Sequence, residues 1–466
     1  MNKIKFGTDG WRAIIAKDYT TENVARVTIA VSQWLNEKYD KPSVVIGHDC
    51  RFGGELFAET TAKIFASKGI KVKLSKGFVS TPMVSLGVLK ENANLGVVIT
   101  ASHNPPTYNG YKLKGDFGGP LLSHDISDIE NRIPEKNNID LDSITIKELE
   151  NNNQLSYVDL EDMYCVHAQS NFDLNAINNS KMSFAYDAMY GSGMNAVKRL
   201  IPNATFLHCE ENPSFCGTAP EPIHRNLKEF SDLMRNNNIN CGLATDGDAD
   251  RIGLYNSKGE FIDSHHIILL LIHYLVKYKS FSGKVVTAFS CSVKVKKICD
   301  YYSLTHETVK IGFKHIAGKM VSDNVLLGGE ESGGIATSGH IPERDGIWMG
   351  LILFEFMVKS GKSIDELINE VYDIVGPFAF NRNDLHINDK IKNEIIQKCE
   401  AGTFNSFGKY KVSHTENLDG FKFFFDDSSW LMIRPSGTEP VLRIYAEAKN
   451  LKEVNDILKA CQITIL

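Results

Sequence analysis

Leu95-Gly96-Val97-Val98-Ile99-Thr100-Ala101-Ser102-His103-Asn104-Pro105-Pro106 decides the fold class. Its first residues form a short, almost wholly apolar run, the pattern of a strand covered on both faces. The polar residues and two prolines that follow end it, because proline continues neither strand nor helix. Upstream, Val24, Val27, Val31, Trp34 and Leu35 place a helical stripe on Thr21 to Lys38, and Ser43-Val44-Val45-Ile46 reads as a strand after Pro42. A helix over Glu55 to Ser67 and a strand over Ile70 to Leu74 complete an alternation that predicts an α/β unit with a mostly parallel sheet.

The alternation recurs twice. Strand-like runs stand at Ser183 to Asp187, Thr205 to His208 and Cys241 to Asp246, and again at Lys284 to Phe289, Thr305 to Val309 and Val325 to Leu327. In the last of these runs, helices are expected near Ile267 to Tyr278 and Val293 to Tyr301. After Pro377 the pattern becomes one helix near Asp389 to Cys399 and strands at Gly420 to Phe425, Trp430 to Ile433 and Val441 to Glu447. A polar stretch from about Pro134 to Gln154 has little core material and marks the first boundary. The expected architecture is three similar α/β domains with mixed, mostly parallel sheets (1–150, 151–257, 258–376) and a C-terminal α+β domain (377–466). Ser102, Asp246 and Glu330 each follow a predicted strand, where open α/β sheets bind ligands, so the domains could surround one central cleft.

Composition narrows the function. Lys+Arg of 51 against Asp+Glu of 57 gives a net charge of -6, with no global basic field for nucleic acid or an anionic membrane. The longest apolar stretch, around Ile267 to Val276, contains His273 and is too short to span a bilayer. The start, Met1 to Gly7, has no apolar signal core, so a cytoplasmic protein is expected. Nine cysteines without a Cys-x-x-Cys pair read as reduced structural thiols. The 14 histidines show no zinc-type spacing. Oligomeric state is not legible.

In Asp246-Gly247-Asp248-Ala249-Asp250-Arg251, three carboxylates alternate around a glycine that allows a sharp bend. Three mutually repelling carboxylates after a buried strand call for a hard cation. An EF-hand would need glycine at its sixth position and glutamate at its twelfth, where this chain has Arg251 and Ser257. An aspartyl-nucleophile phosphatase is a competitor for two of the aspartates, but the third favours a metal cage. Ser102, on a loop stiffened by proline, is a candidate nucleophile, with Lys112 ten residues on as its acid/base or phosphate partner, although a Ser-His pair in a loop is by itself an ordinary turn. Gly328-Gly329-Glu330-Glu331-Ser332-Gly333-Gly334 presents a carboxylate and a hydroxyl suited to sugar hydroxyls, or is a plain acidic loop. Arg434-Pro435-Ser436-Gly437-Thr438-Glu439-Pro440, between two apolar strands, is a candidate phosphate cradle or a hairpin turn. Three carboxylates and a phosphoserine exceed the charge of one divalent cation, so Arg12, Lys112, Arg251, Lys314 and Arg434 are expected to supply the balance. One motif points elsewhere. Gly191-Ser192-Gly193 after a strand, with Glu210 or Glu211 about twenty residues on, loosely fits a dinucleotide site.

Taken in order, these loops resemble the α-D-phosphohexomutase family, which includes phosphoglucomutase and phosphomannomutase. The resemblance runs from Phe6-Gly7-Thr8-Asp9-Gly10-Trp11-Arg12 to the loop ending at Pro440. It implies a heart-shaped, four-domain enzyme in which Ser102 carries the phosphoryl group and, with Asp246, Asp248 and Asp250, coordinates Mg²⁺. It further implies Lys112 as general acid/base assisted by His103 and Arg251, Glu330 and Ser332 on sugar hydroxyls, and Arg12 and Lys314 on substrate. Arg434, Ser436, Gly437 and Thr438 would hold the phosphate that is not reacting. The reaction implied interconverts hexose 1- and 6-phosphates through a hexose 1,6-bisphosphate, with a hinge near Gly376-Pro377 closing the cleft. Glu331, together with His340-Ile341-Pro342-Glu343-Arg344-Asp345-Gly346, looks nearer to phosphoglucomutases than to phosphoglucosamine mutases, where a Gln would be expected.

Overall fold

A computed structural model describes residues 3–426, 428–435 and 441–466. The first sheet has six strands, ordered Trp11–Ile14, Tyr108–Gly115, Leu95–Ile99, Ser43–His48, Lys71–Ser75, Leu155–Val158. The last four are parallel and the first two join antiparallel. The second sheet, of five strands, runs Phe261–Ile262, Ile252–Asn256, Cys241–Thr245, Phe184–Asp187, Thr205–Leu207, and the third, of four, runs His306–Val309, Lys284–Ala288, Val325–Gly329, Ile335–Thr337. The fourth is an antiparallel sheet of five strands, Ala379–His386, Val441–Ala448, Trp430–Pro435, Phe421–Phe424, His414–Glu416. Sheet membership runs past the residue numbers expected for the first two units. Leu155–Val158 pairs along the free edge of Lys71–Ser75, and Phe261–Ile262 extends the second sheet, because an unpaired row of backbone groups is completed by whichever segment reaches it.

The same local arrangement recurs in the first three sheets. A buried strand of the parallel region (Leu95–Ile99, Cys241–Thr245, Val325–Gly329) is followed by a short loop and an antiparallel return (Tyr108–Gly115, Ile252–Asn256, Ile335–Thr337). The loops carry Ser102, the aspartates, and Glu330 with Ser332. Trp430–Pro435 and Val441–Ala448 form the equivalent antiparallel pair of the fourth sheet.

One apolar core runs through the first three units, from Val45 and Leu86 through Leu243 to the helices Ser264–His273 and Gly346–Ser360. The Gly346–Ser360 helix begins there because the Asp345 carboxylate caps it by accepting from the Trp348 amide. The fourth unit has its own core around Leu431, Leu442 and Ile457, joined to the third by a small patch of Phe289, Trp430, Met432 and Tyr445. Lys422 crosses that patch with its ammonium over Trp430, donating to the carbonyls of Phe289 at 3.0 Å and Cys291 at 3.1 Å. Among the described residues no helix is long and apolar enough to cross a membrane.

Candidate active site

Ser102 is fully buried and takes a left-handed φ of 53°, which a side-chain-bearing residue adopts only when its surroundings hold it there. Its amide donates to Thr100 Oγ1 at 2.9 Å, and the Thr100 hydroxyl donates in turn to Asp49. Its own hydroxyl donates to Asp246 Oδ2 at 2.7 Å and lies 3.3 Å from His103 Nδ1. Burial, reinforced by Arg251, Arg12, Lys112 and Arg51, pushes the His103 pKa well below the ordinary histidine value and keeps the ring neutral.

The aspartate loop faces the serine. Asp246 Oδ1 accepts from the amides of Asp250 at 2.9 Å and Arg251 at 3.0 Å, which folds the loop back on its first residue. One oxygen from each of Asp246, Asp248 and Asp250 lies within 4.8 Å of the others, and all three residues are fully buried. Among the described residues Asp248 Oδ1 and Asp250 Oδ1 have no hydrogen-bond partner. Buried, orphaned carboxylate oxygens beside a serine hydroxyl are an all-oxygen set fit for a hard divalent cation. Burial, and then Asp250 and Asp248, raise the Asp246 pKa well above the carboxylate range.

Lys112 enters from the middle of the strand Tyr108–Gly115, not from the loop before it. Its ammonium lies 2.7 Å from Asp248, 2.9 Å from Asp250 and 2.8 Å from Asp9. Burial pulls its pKa down, but the three carboxylates together outweigh burial and the net direction is up. Arg344 closes the cluster, 2.8 Å from Asp250, paired with Asp9, and 3.4 Å from Glu343. Arg12 donates to Asn104 Oδ1 at 2.6 Å and stands 3.7 Å from Asp9.

Glu330 is buried and its Oε1 accepts from the Gly312 amide at 2.9 Å. Ser332 is partly exposed in the same loop, whose backbone bridges the aspartate loop at Arg251 and Gly334. Among the described residues the Arg251 guanidinium pairs with Glu221, at 3.9 Å, and its Nε has no hydrogen-bond partner. Lys314, in the first turn of Phe313–Ser322, lines a cavity of about 120 Å³ with Thr8, Asp9 and Gly10. From the fourth unit, Arg434 pairs with Asp419 at 3.3 Å, and Asp419 accepts from the Ile311 amide at 2.9 Å beside Gly312. Arg382 pairs with Glu331 at 3.3 Å. Ser436, Gly437 and Thr438 lie outside the described residues. The serine loop and the aspartate loop therefore meet at Ser102 and Asp246, the third sheet's loop adjoins the aspartate loop at Arg251 and Gly334, and the fourth unit reaches the third through Asp419 and Arg382.

Models of the phosphoglucomutase/phosphomannomutase family match four consecutive parts of the chain: α/β/α domain I at residues 3–140, domain II at 162–259, domain III at 263–375 and the C-terminal domain at 389–461. The chain belongs to this family of α-D-phosphohexomutases. A phosphoglucomutase/phosphomannomutase of Thermococcus kodakarensis is 28% identical over 97% of this chain and 96% of its own. A probable phosphoglucosamine mutase of Methanosphaera stadtmanae is 30% identical over 97% of this chain and 96% of its own. Among solved structures, a "putative phosphomannomutase" of Thermus thermophilus is 29% identical with a TM-score of 0.87, covering 100% of this chain and 99% of its own.

Two sequence readings are corrected in this phosphohexomutase. The Gly191-Ser192-Gly193 loop does not open on a dinucleotide pocket. Ser192 donates from its amide at 2.9 Å and from its hydroxyl at 3.1 Å to the Gly247 carbonyl, so the loop buttresses the aspartate turn from behind, while Glu210 and Glu211 stand at the surface. Gly247 does not supply the bend either; the left-handed residue of that turn is Ala249, with φ 54°. Glycine is required at 247 because a Cβ there would lie 2.6 Å from the Ser102 carbonyl oxygen and 3.1 Å from Pro220. Gly247→Ala is thus expected to push the serine and aspartate loops apart, costing about 1–3 kcal/mol of stability. Its kcat should fall by more than about tenfold, as thermal unfolding and a steady-state assay will show. Asp9, Asp49, Arg51 and Arg344 escaped the sequence reading as site residues. Asp9 and Arg344 lie inside quoted motifs, but their partners are distant in sequence: Asp9 meets Lys112 and Arg344, and Arg344 meets Asp9 and Asp250.

Proposed function

We propose that this phosphohexomutase interconverts the 1- and 6-phosphates of glucose and mannose through a phosphorylated Ser102 and a hexose 1,6-bisphosphate. The observation that carries the reading is the Ser102 hydroxyl on Asp246 Oδ2, beside the orphaned oxygens of Asp248 and Asp250. Asp246, Asp248, Asp250 and the phosphate of Ser102 would hold Mg²⁺, which supplies neutralisation of phosphoryl charge. In the forward half-reaction the P–O bond to Ser102 Oγ breaks and a P–O bond to the sugar hydroxyl forms. The sugar's hydroxyl proton leaves to a base and Ser102 Oγ regains one, with Lys112 as the acid/base and His103 and Arg251 assisting. The bisphosphate then turns end for end and returns its other phosphoryl group to Ser102. Glu330 and Ser332 read the sugar hydroxyls, Arg12 and Lys314 contact the substrate, and Arg434 with Ser436, Gly437 and Thr438 holds the phosphate at rest. The small apolar patch between third and fourth units supports a hinge near Gly376-Pro377.

Phosphoglucosamine mutase is the second reading. The Methanosphaera stadtmanae relative carries that name, and the Glu331 carboxylate is turned to Arg382 of the fourth unit, so a carboxylate in place of an amide there need not act on the sugar. Rates measured side by side on glucose, mannose and glucosamine phosphates separate the two. We expect comparable kcat/KM for glucose and mannose and at least about a tenfold lower value for glucosamine. Glucosamine phosphate as the fastest substrate would establish the second reading instead.

A further inference from the structure

Ser102 sits in a conformation that its own loop does not explain. The carbonyls of Ser102, Asn104, Pro105 and Tyr108 all turn inward, and all four are met by one side chain. Arg51 donates from one terminal nitrogen to the carbonyls of Pro105 at 2.9 Å and Tyr108 at 3.2 Å. Its other terminal nitrogen donates to Asn104 O at 2.7 Å and to Ser102 O. Arg51 is 3% exposed, and its Nε faces Asp49 Oδ2 at 3.2 Å. Since the guanidinium is spent on backbone carbonyls and one carboxylate, it is a clamp on the loop and not a group free for substrate phosphate.

The clamp has a floor from another domain. The Phe215 ring lies 4.9 Å beneath the Arg51 guanidinium and is 1% exposed. Phe215 and Cys216 both have left-handed φ, 47° and 50°, in a segment that goes on to place Pro220 against Gly247 and Glu221 beside Arg251. Two consecutive side-chain-bearing residues in that region are costly for the backbone and persist only where packing fixes them. Here the packing aims an aromatic face at a cation, an arrangement that attracts more strongly when desolvated.

We propose that Arg51 and Phe215 are positioning residues for Ser102: Phe215 of the second domain holds the Arg51 guanidinium flat, and Arg51 holds the serine loop by its carbonyls so that Oγ meets the aspartate triplet. This rests on Ser102 being the phosphate carrier. Neither residue touches the reacting atoms, so their loss should slow phosphoryl transfer without weakening the hold on the sugar phosphate.

The test compares wild type, Phe215→Leu, Arg51→Lys and Ser102→Ala as full-length proteins. Uptake of one phosphoryl group from glucose 1,6-bisphosphate is followed by intact mass, alongside kcat, KM and thermal unfolding. Phe215→Leu keeps an apolar side chain and should unfold within a few degrees of wild type. Its rate of phosphoryl uptake and its kcat should both fall by about ten- to a hundredfold, with KM within about twofold. Arg51→Lys, whose single ammonium cannot span four carbonyls, should fall further. Wild-type rates in Phe215→Leu, or a loss confined to KM, would overturn the positioning role while leaving Ser102 as carrier. If wild type takes up no phosphate, or Ser102→Ala takes up as much, the carrier itself is elsewhere and this proposal falls with it.

Discussion

Ser102→Ala is expected to abolish interconversion of glucose 1- and 6-phosphate, lowering kcat by at least about a thousandfold, because no other group of the site can take its place as carrier. The Asp248 and Asp250 carboxylates near it are held through their Oδ2 atoms, and their Oδ1 atoms face the position proposed for the cation. Asp248 accepts from Thr81 and Lys112, and Asp250 accepts from Lys112 and pairs with Arg344. His103 is half-buried with its Nδ1 3.3 Å from Ser102 Oγ, and a phosphohistidine there would show as phosphoryl uptake by the variant. The substitution deletes one buried hydrogen bond, to Asp246 Oδ2, worth about 1 kcal/mol net, so the protein should remain folded. Circular dichroism and thermal unfolding will check that. Activity within about tenfold of wild type in a folded Ser102→Ala protein would remove the phosphoserine from the mechanism. Incubation with a hexose 1,6-bisphosphate should add one phosphoryl group to wild type and none to the variant.

What the sequence made legible follows a physical division. Buried parallel strands announce themselves, as Leu95–Ile99 and Cys241–Thr245 do, because both faces must be apolar. The loop after such a strand can then be found, and with it Ser102, the aspartates and Glu330. The returning strand was harder. Tyr108–Gly115 carries Lys112 and Lys114 at buried positions, a pattern that argues against a strand until Asp9, Asp248, Asp250 and Glu343 arrive from elsewhere to neutralise them. Arg51 and Phe215 were invisible for the same reason. Each looks like an ordinary surface-loop or core residue in its own segment, and their contact joins positions 51 and 215 across two domains. Gly334 shows the limit again. A Cβ there would lie 2.4 Å from Arg344 Cδ, so the glycine records a side chain ten residues away that local turn chemistry does not mention. Local pattern thus located the loops; the charge balance that makes them a site is a property of the assembled fold.

That charge balance sets the second large effect. Protein groups alone compensate the aspartate triplet only in part among the described residues: Lys112 reaches Asp248 and Asp250, Arg344 reaches Asp250, and the hydrogen bonds to Asp246 come from backbone amides and the Ser102 hydroxyl. A divalent cation drawing on the orphaned oxygens would relieve the repulsion, and an ion that binds only the native state stabilises it in proportion to the logarithm of its concentration. At a hundred times its dissociation constant the gain is about 2.7 kcal/mol. We therefore expect MgCl₂ to raise the unfolding temperature of wild type by about 2–5 °C over NaCl at equal ionic strength, the salt control removing general screening. Asp248→Asn keeps the shape of the side chain but loses its charge and one ligand oxygen. It should lose the Mg²⁺-dependent shift entirely, and its turnover should fall by at least about a hundredfold, since neutralisation of the phosphoryl charge would then depend on the surrounding lysines and arginines alone. Chelation of wild type should reproduce the loss of turnover, and added Mg²⁺ should restore it in wild type but not in Asp248→Asn. An equal Mg²⁺ shift in both proteins would place the cation elsewhere and leave the three aspartates as partners of Lys112 and Arg344 alone.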